Sequence, residues 1–201
     1  MNDDAPAHLP YGTEAITAWA RHRGLNNQPR PEQGWFRGWE PLETLVSPAY
    51  YFNACTIALA PGTITVVEPW TELVDTEPID RALYAFVAHP GLRRRASLQA
   101  GGDHFMSRAA FIVDPPPPVV KLGDEVWDEN VVTRASSPEQ AQAAVSPSLR
   151  RLLQGWGFQG HVELRAGGAI VYVADLKPVP AGYDRAIAAA QQIVDKALRR
   201  G

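Results

Sequence analysis

The chain has 201 residues, 45% hydrophobic and 20% charged, with a net charge of -3 at pH 7. That balance supports one ordinary core, or two small packed lobes, and argues against wholesale disorder. Its basic residues are mostly arginine and scattered, so no concentrated stripe marks a nucleic-acid surface, and Arg93-Arg94-Arg95 reads as a solvated loop.

Residues 1–12 read as a frayed N-terminus: Met1-Asn2-Asp3-Asp4 is acidic and no apolar h-region follows, so no signal peptide is expected. Thr13 is a candidate N-cap for a helix that places Ile16, Trp19 and Ala20 on one face and stops at Gly24. Asn26 to Pro31 has the composition of a linker. Tyr50 to Val67 alternates as a hairpin about Ala60-Pro61-Gly62-Thr63, with proline pre-setting the first central φ and glycine allowing a positive φ next. The single cysteine, Cys55, lies in an apolar run without a local basic partner, the pattern of a buried structural thiol in a reducing compartment.

Arg81–His89 and Phe105–Asp114 predict two further strands, joined by a long polar loop over Gly91–Asp103 with room for a short helix. Pro115 to Pro118 is stiff and supplies no ladder donors. The chain therefore reads as one domain over 13–201, with possible lobes at 13–114 and 119–201 meeting at that run. Beyond it, Val126–Arg134 reads as an acidic strand. Ser137-Pro138-Glu139-Gln140 and Ser146-Pro147 are two helix starts, the first a capping box. His161–Arg165 and Ala169–Ala174 pair about Gly167-Gly168. A closing helix carries Tyr183, Ile187, Ala190, Val194 and Leu198 at helical spacing, with Arg199 and Arg200 at its negative end. Adjacent strand pairs with helices at the margins predict an α+β fold: a mainly antiparallel sheet built from hairpins, with N-terminal and C-terminal amphipathic helices packed on it. No run approaches the roughly 20 apolar residues of a membrane span, so a soluble, cytoplasmic protein is expected.

The stretch from Gly123 to Leu176, with Asp124, Trp127-Asp128, "SPEQAQAAV", "SPSLRRLL" and "VELRAGGAIVYV", resembles uncharacterised bacterial proteins of the DUF3137-like kind. Trp127 stands where an aromatic Phe is more typical, and the membrane segments of some relatives are missing. The resemblance implies a bacterial protein of unknown function and carries over no catalytic residue.

Four patterns bear on chemistry. Gly155-Trp156-Gly157-Phe158-Gln159-Gly160 matches G-x-G-x-x-G, but a helix precedes it and a strand follows, the reverse of the dinucleotide-binding order. Asp124, Glu125, Asp128 and Glu129 cannot all converge from a strand and lack calcium-loop spacing, so no metal site is assigned. Asp103 and His104 follow two glycines, where an imidazole could do acid–base work, with Arg108 nearby; the plainer reading is a turn with an Asx cap. Trp35-Phe36-Arg37-Gly38-Trp39 has the composition of a binding surface, against which stands a satellite core over the end of the sheet. These patterns favour a non-enzymatic binding domain that holds a protein, peptide or small apolar ligand at Trp35, Arg37 and Trp39. No cofactor is implied, and a homo-oligomer is compatible. The alternative is a hydrolase or acid–base enzyme assembled around Asp103, His104 and Arg108.

Overall fold

The computed structural model describes residues 8–45, 47–70, 81–101 and 117–199. Among them run α1 (Thr13–His22), β1 (Asn26–Gln28), α2 (Gln33–Arg37), β2 (Tyr50–Leu59), β3 (Gly62–Trp70), β4 (Tyr84–Ala88), β5 (Ala96–Ala100) and β6 (Val119–Val120). There follow α3 (Glu125–Asn130), β7 (Val131–Arg134), α4 (Pro138–Ala144), α5 (Pro147–Gly155), β8 (Gly160–Arg165), β9 (Gly168–Val173) and α6 (Pro180–Leu198). The strands form one antiparallel sheet in the order β1-β2-β3-β4-β9-β8-β5-β7-β6. This is the expected α+β architecture, with α1 and α6 as the terminal helices. The segments before and after the proline run contribute to the same sheet, through β4 beside β9 and β5 between β8 and β7.

Strand alternation sends side chains to two covered faces. On one, Ala85, Val87, Leu98, Val162 and Val171 meet Ile16 and Ala20 of α1 and Tyr183, Ile187 and Val194 of α6. On the other, Tyr84, Phe86, Ile170 and Tyr172 meet Phe36 of α2 together with Leu42 and Leu45. Ser137 and Ser146 are N-caps as expected: their hydroxyls accept from Gln140 N at 3.2 Å and Leu149 N at 3.2 Å, but Gln140 does not close a capping box on Ser137, because its Oε1 accepts from Ser136 N at 3.3 Å instead.

Several elements differ from the sequence reading, each for a local reason. Gly12, at φ 87°, is the N-cap of α1, and Thr13 donates its hydroxyl to Pro10 O at 2.7 Å. The expected linker contains β1, whose short polar run pairs with the bulged strand β2. The hairpin loop is Ala60-Pro61, one residue earlier than expected, because Gly62 already pairs with Leu59. The polar loop over Gly91–Asp103 holds β5, an interior strand: Ala96, Leu98 and Ala100 alternate with Ser97 and Gln99, residues small or polar enough to mask the pattern. The acidic strand is half helix. Asp124 caps α3 by accepting from Trp127 N at 3.2 Å, and only Val131–Arg134 pairs in the sheet. Phe105–Asp114 lies outside the described residues.

Residues 39–45 cross the aromatic face without regular structure, so their backbone groups need other partners. Two neighbours on β8 provide them. Fully buried Glu163 accepts at Oε1 from Glu43 N at 2.8 Å, Thr44 N at 2.8 Å and Thr44 Oγ1 at 3.2 Å. Arg165 donates to Trp39 O, to Pro41 O at 2.8 Å and to Glu163 Oε2 at 2.6 Å. Glu43, itself buried, accepts from Ser97 Oγ and from Arg95. Arg93-Arg94-Arg95 is thus not simply a solvated loop: Arg95 pairs with Glu43, and Arg94 donates to Ala143 O.

Removing one member of such a buried network leaves its partners uncompensated. Glu163→Ala should cost about 3–5 kcal/mol in urea unfolding, and Glu163→Gln, which keeps an acceptor for the two N–H groups, clearly less. Burial raises the Glu163 carboxyl above its ordinary 4.5, outweighing the opposing Arg165 guanidinium. The folded state then holds this proton more tightly than the unfolded chain does. Its contribution to stability should fall as pH rises from the ordinary carboxylate value through the raised one, and Glu163→Gln should remove that part of the pH slope.

Candidate functional site

Helix α2 begins where the Glu32 carboxylate accepts from Gly34 N at 2.8 Å and Trp35 N at 3.1 Å. Gln33 docks it on the sheet: its amide accepts from Tyr51 N at 2.9 Å and donates to Tyr51 O at 3.0 Å, imitating a strand partner. Phe36 then stacks on Tyr51, with centroids 4.4 Å apart at 20°, and meets Phe86 edge-on at 5.4 Å.

The three residues of the expected surface occupy different positions. Trp39 is partly buried, 5.4 Å from Phe86, and its ring lies over Gly168, where a Cβ would strike it. Arg37 donates to Pro48 O at 2.8 Å, to Ala49 O and to Glu40 Oε1 at 2.7 Å, so it ties α2 to the segment entering β2. Trp35 is 41% exposed. Its ring meets Phe36 at 4.9 Å, Trp39 at 5.6 Å and Phe86 at 5.9 Å, all edge-on, so three neighbours fix its orientation.

Beside Trp35 is a groove of about 320 Å³ whose wall includes Gln28, Thr56, Thr63 and Thr65. Thr56 and Thr65 face each other across β2 and β3, with hydroxyls 2.9 Å apart. Apart from Glu32, which is engaged in capping, the polar lining is neutral. An indole held at a fixed angle beside neutral donors and acceptors can bind a ligand with one flat apolar face and polar edges.

The other sequence candidates separate as follows. Asp103, His104 and Arg108 lie outside the described residues. Cys55 is buried, and burial pushes its thiol up to about 11 despite the Asn27 amide 3.3 Å away, so thiolate is scarce at neutral pH. The acidic cluster is divided among local duties: Asp124 caps α3 and pairs with Arg150 at 3.1 Å, while Asp128 accepts from Leu122 N at 2.9 Å and Gly123 N at 3.0 Å. Among the described residues no group of three or more His, Cys, Asp or Glu side chains could hold a metal ion. The G-x-G-x-x-G run joins the end of α5 to β8, helix first.

Sequence reasoning missed the buried carboxylates Glu43 and Glu163, the buried hydroxyl of Ser97 that donates to Glu43, and the arginines that pair with the two carboxylates. A signal was present in "HVELR", where His161, Glu163 and Arg165 alternate with apolar Val162 and Leu164. That alternation normally marks a solvated face, but here His161 and Glu163 are fully buried.

No protein-family model matches the chain, and no curated protein does. A solved structure is similar in fold: the crystal structure of the mycobacterial trehalose monomycolate transport factor A, TtfA, has a TM-score of 0.64 at 10% sequence identity. The match covers 93% of this chain and 95% of that one. At that identity the likeness is of fold alone. No helix among the described residues is long and apolar enough to cross a membrane.

Proposed function

We propose that the chain is a non-enzymatic binding domain of the cytoplasm, akin to the uncharacterised bacterial proteins that its second half resembles, and that it holds its ligand against Trp35. The observation that carries this reading is the ring itself, 41% exposed yet fixed by three aromatic neighbours beside the threonine-lined groove. A preorganised indole loses little conformational freedom on binding, which is why tryptophan dominates interface energetics. Buried ionisable groups point the same way: Glu43, Glu68 and Glu163 each accept two or more hydrogen bonds within the fold, an arrangement that holds structure together. The fold shared with a protein named as a transport factor is compatible with such a role.

The ligand this groove suits is neutral, with a flat apolar face and hydroxyl or amide edges, such as a sugar ring or an extended peptide. A saturation-transfer NMR screen of neutral disaccharides and capped dipeptides should yield binders whose affinity drops by about tenfold or more in Trp35→Ala. Hits that bind Trp35→Ala as well as the parent would overturn the site. Trp35→Ala should leave the fold intact, whereas Trp39→Ala should cost about 3 kcal/mol or more, because its ring packs between Gly168 and Phe86.

A further inference from the structure

A second groove, of about 520 Å³, lies on the opposite side of the sheet, among the turn from α5 to β8, the end of β9 and the outer surface of α6. Its shape follows from the sequence. Ala188 and Ala189, between Arg185 and Gln192 on one stripe of α6, leave a depression where larger side chains would fill it. Buried Leu176 and Phe158 form the apolar base. The wall is Trp156, 40% exposed, placed by the turn in which Trp156 N donates to Leu152 O at 3.1 Å and Gly157 takes a φ of 57°.

Two opposite charges line this groove, Arg185 on α6 and Asp175 just after β9. They do not pair with each other within 4.0 Å, and among the described residues neither makes an ion pair or side-chain hydrogen bond. Elsewhere the arginines at 37, 81, 95, 150 and 165 are all engaged by carboxylates. Asp175 also takes a φ of 64°, in the left-handed region, which Asp tolerates better than most residues. A simple anion would be opposed by Asp175, and a simple cation by Arg185. The occupant that satisfies both charges is one that carries both, with an apolar body for Trp156 and Leu176.

We propose that this groove binds a small zwitterion with an apolar side chain, of the α-amino-acid class. Its carboxylate meets the Arg185 guanidinium, its ammonium meets the Asp175 carboxylate, and its side chain lies against Trp156. This site is independent of the Trp35 groove, and neither stands or falls with the other.

Calorimetric titration of the full chain with L-leucine, L-phenylalanine and L-tryptophan tests it. Saturable binding is expected for at least one of the three. N-acetyl-L-leucine, which has lost the ammonium, and L-leucinamide, which has lost the carboxylate, should each bind at least about tenfold more weakly than leucine. Arg185→Gln and Asp175→Asn should each weaken the amino acid at least about tenfold at an unchanged melting temperature, since both side chains are exposed. In Arg185→Gln the gap between leucine and leucinamide should close, because the carboxylate no longer has a partner. Absence of saturable binding by all three amino acids up to millimolar concentration overturns the proposal. So does N-acetyl-leucine or leucinamide binding as tightly as leucine, or binding unchanged in both variants.

Discussion

The backbone N–H and C=O groups of an irregular segment laid across a sheet lack the partners that a helix or strand would give them, and those that are buried must find others. Residues 39–45 present that demand, and β8 answers it with two side chains on one face. Glu163 is an acceptor and takes the N–H groups of Glu43 and Thr44; Arg165 is a donor and takes the carbonyls of Trp39 and Pro41. The two charges then neutralise each other at 2.6 Å, which makes their burial tolerable. With the segment fixed, Leu42 and Leu45 close the aromatic cluster under α2.

The orientation of Trp35 depends on this fastening. Trp39 is the first residue of the segment, and its ring is one of the three that position Trp35. Arg37 and Gln33 bind the same short helix to the start of β2. A five-residue helix has too little internal bonding to hold itself. Side-chain hydrogen bonds to the neighbouring backbone and ring packing do that work instead. The exposed indole is therefore a fixed part of the surface, although it stands on one of the smallest elements of the fold.

The elements that sequence reasoning found are those whose signals are local. The caps at Ser137 and Ser146, the hairpin at Gly167-Gly168 and the apolar stripe of α6 each need only a few adjacent residues to be recognised. What escaped it was set by distant partners. The strand β5 was hidden because Ser97 and Gln99 resemble loop residues, and Ser97 becomes a core residue only by meeting Glu43, 54 positions earlier. Val126–Arg134 has the pattern of one strand, yet Trp127 is buried on a helix, where its indole N–H reaches Thr133 Oγ1 at 2.9 Å. Of the aromatic run, the sequence showed the composition of a binding surface and of a satellite core alike. In the fold Phe36 and Trp39 pack inward while Trp35 faces the groove, a division that only the docking of α2 decides.

Sharing a fold with TtfA at 10% identity is what such a division of labour leads one to expect. Alternating strands, caps and a packed terminal helix can be supplied by many side chains, so topology survives where almost no residue is shared. A site is less forgiving. The site proposed at Trp35 would need an indole beside threonine hydroxyls, and the one proposed at α6 an arginine and an aspartate that do not reach each other. These requirements belong to positions 35, 56, 65, 156, 175 and 185 and are not carried by the strand order. Function in this chain therefore has to be argued from those side chains, with the sheet serving as the frame that holds two grooves apart on its opposite faces.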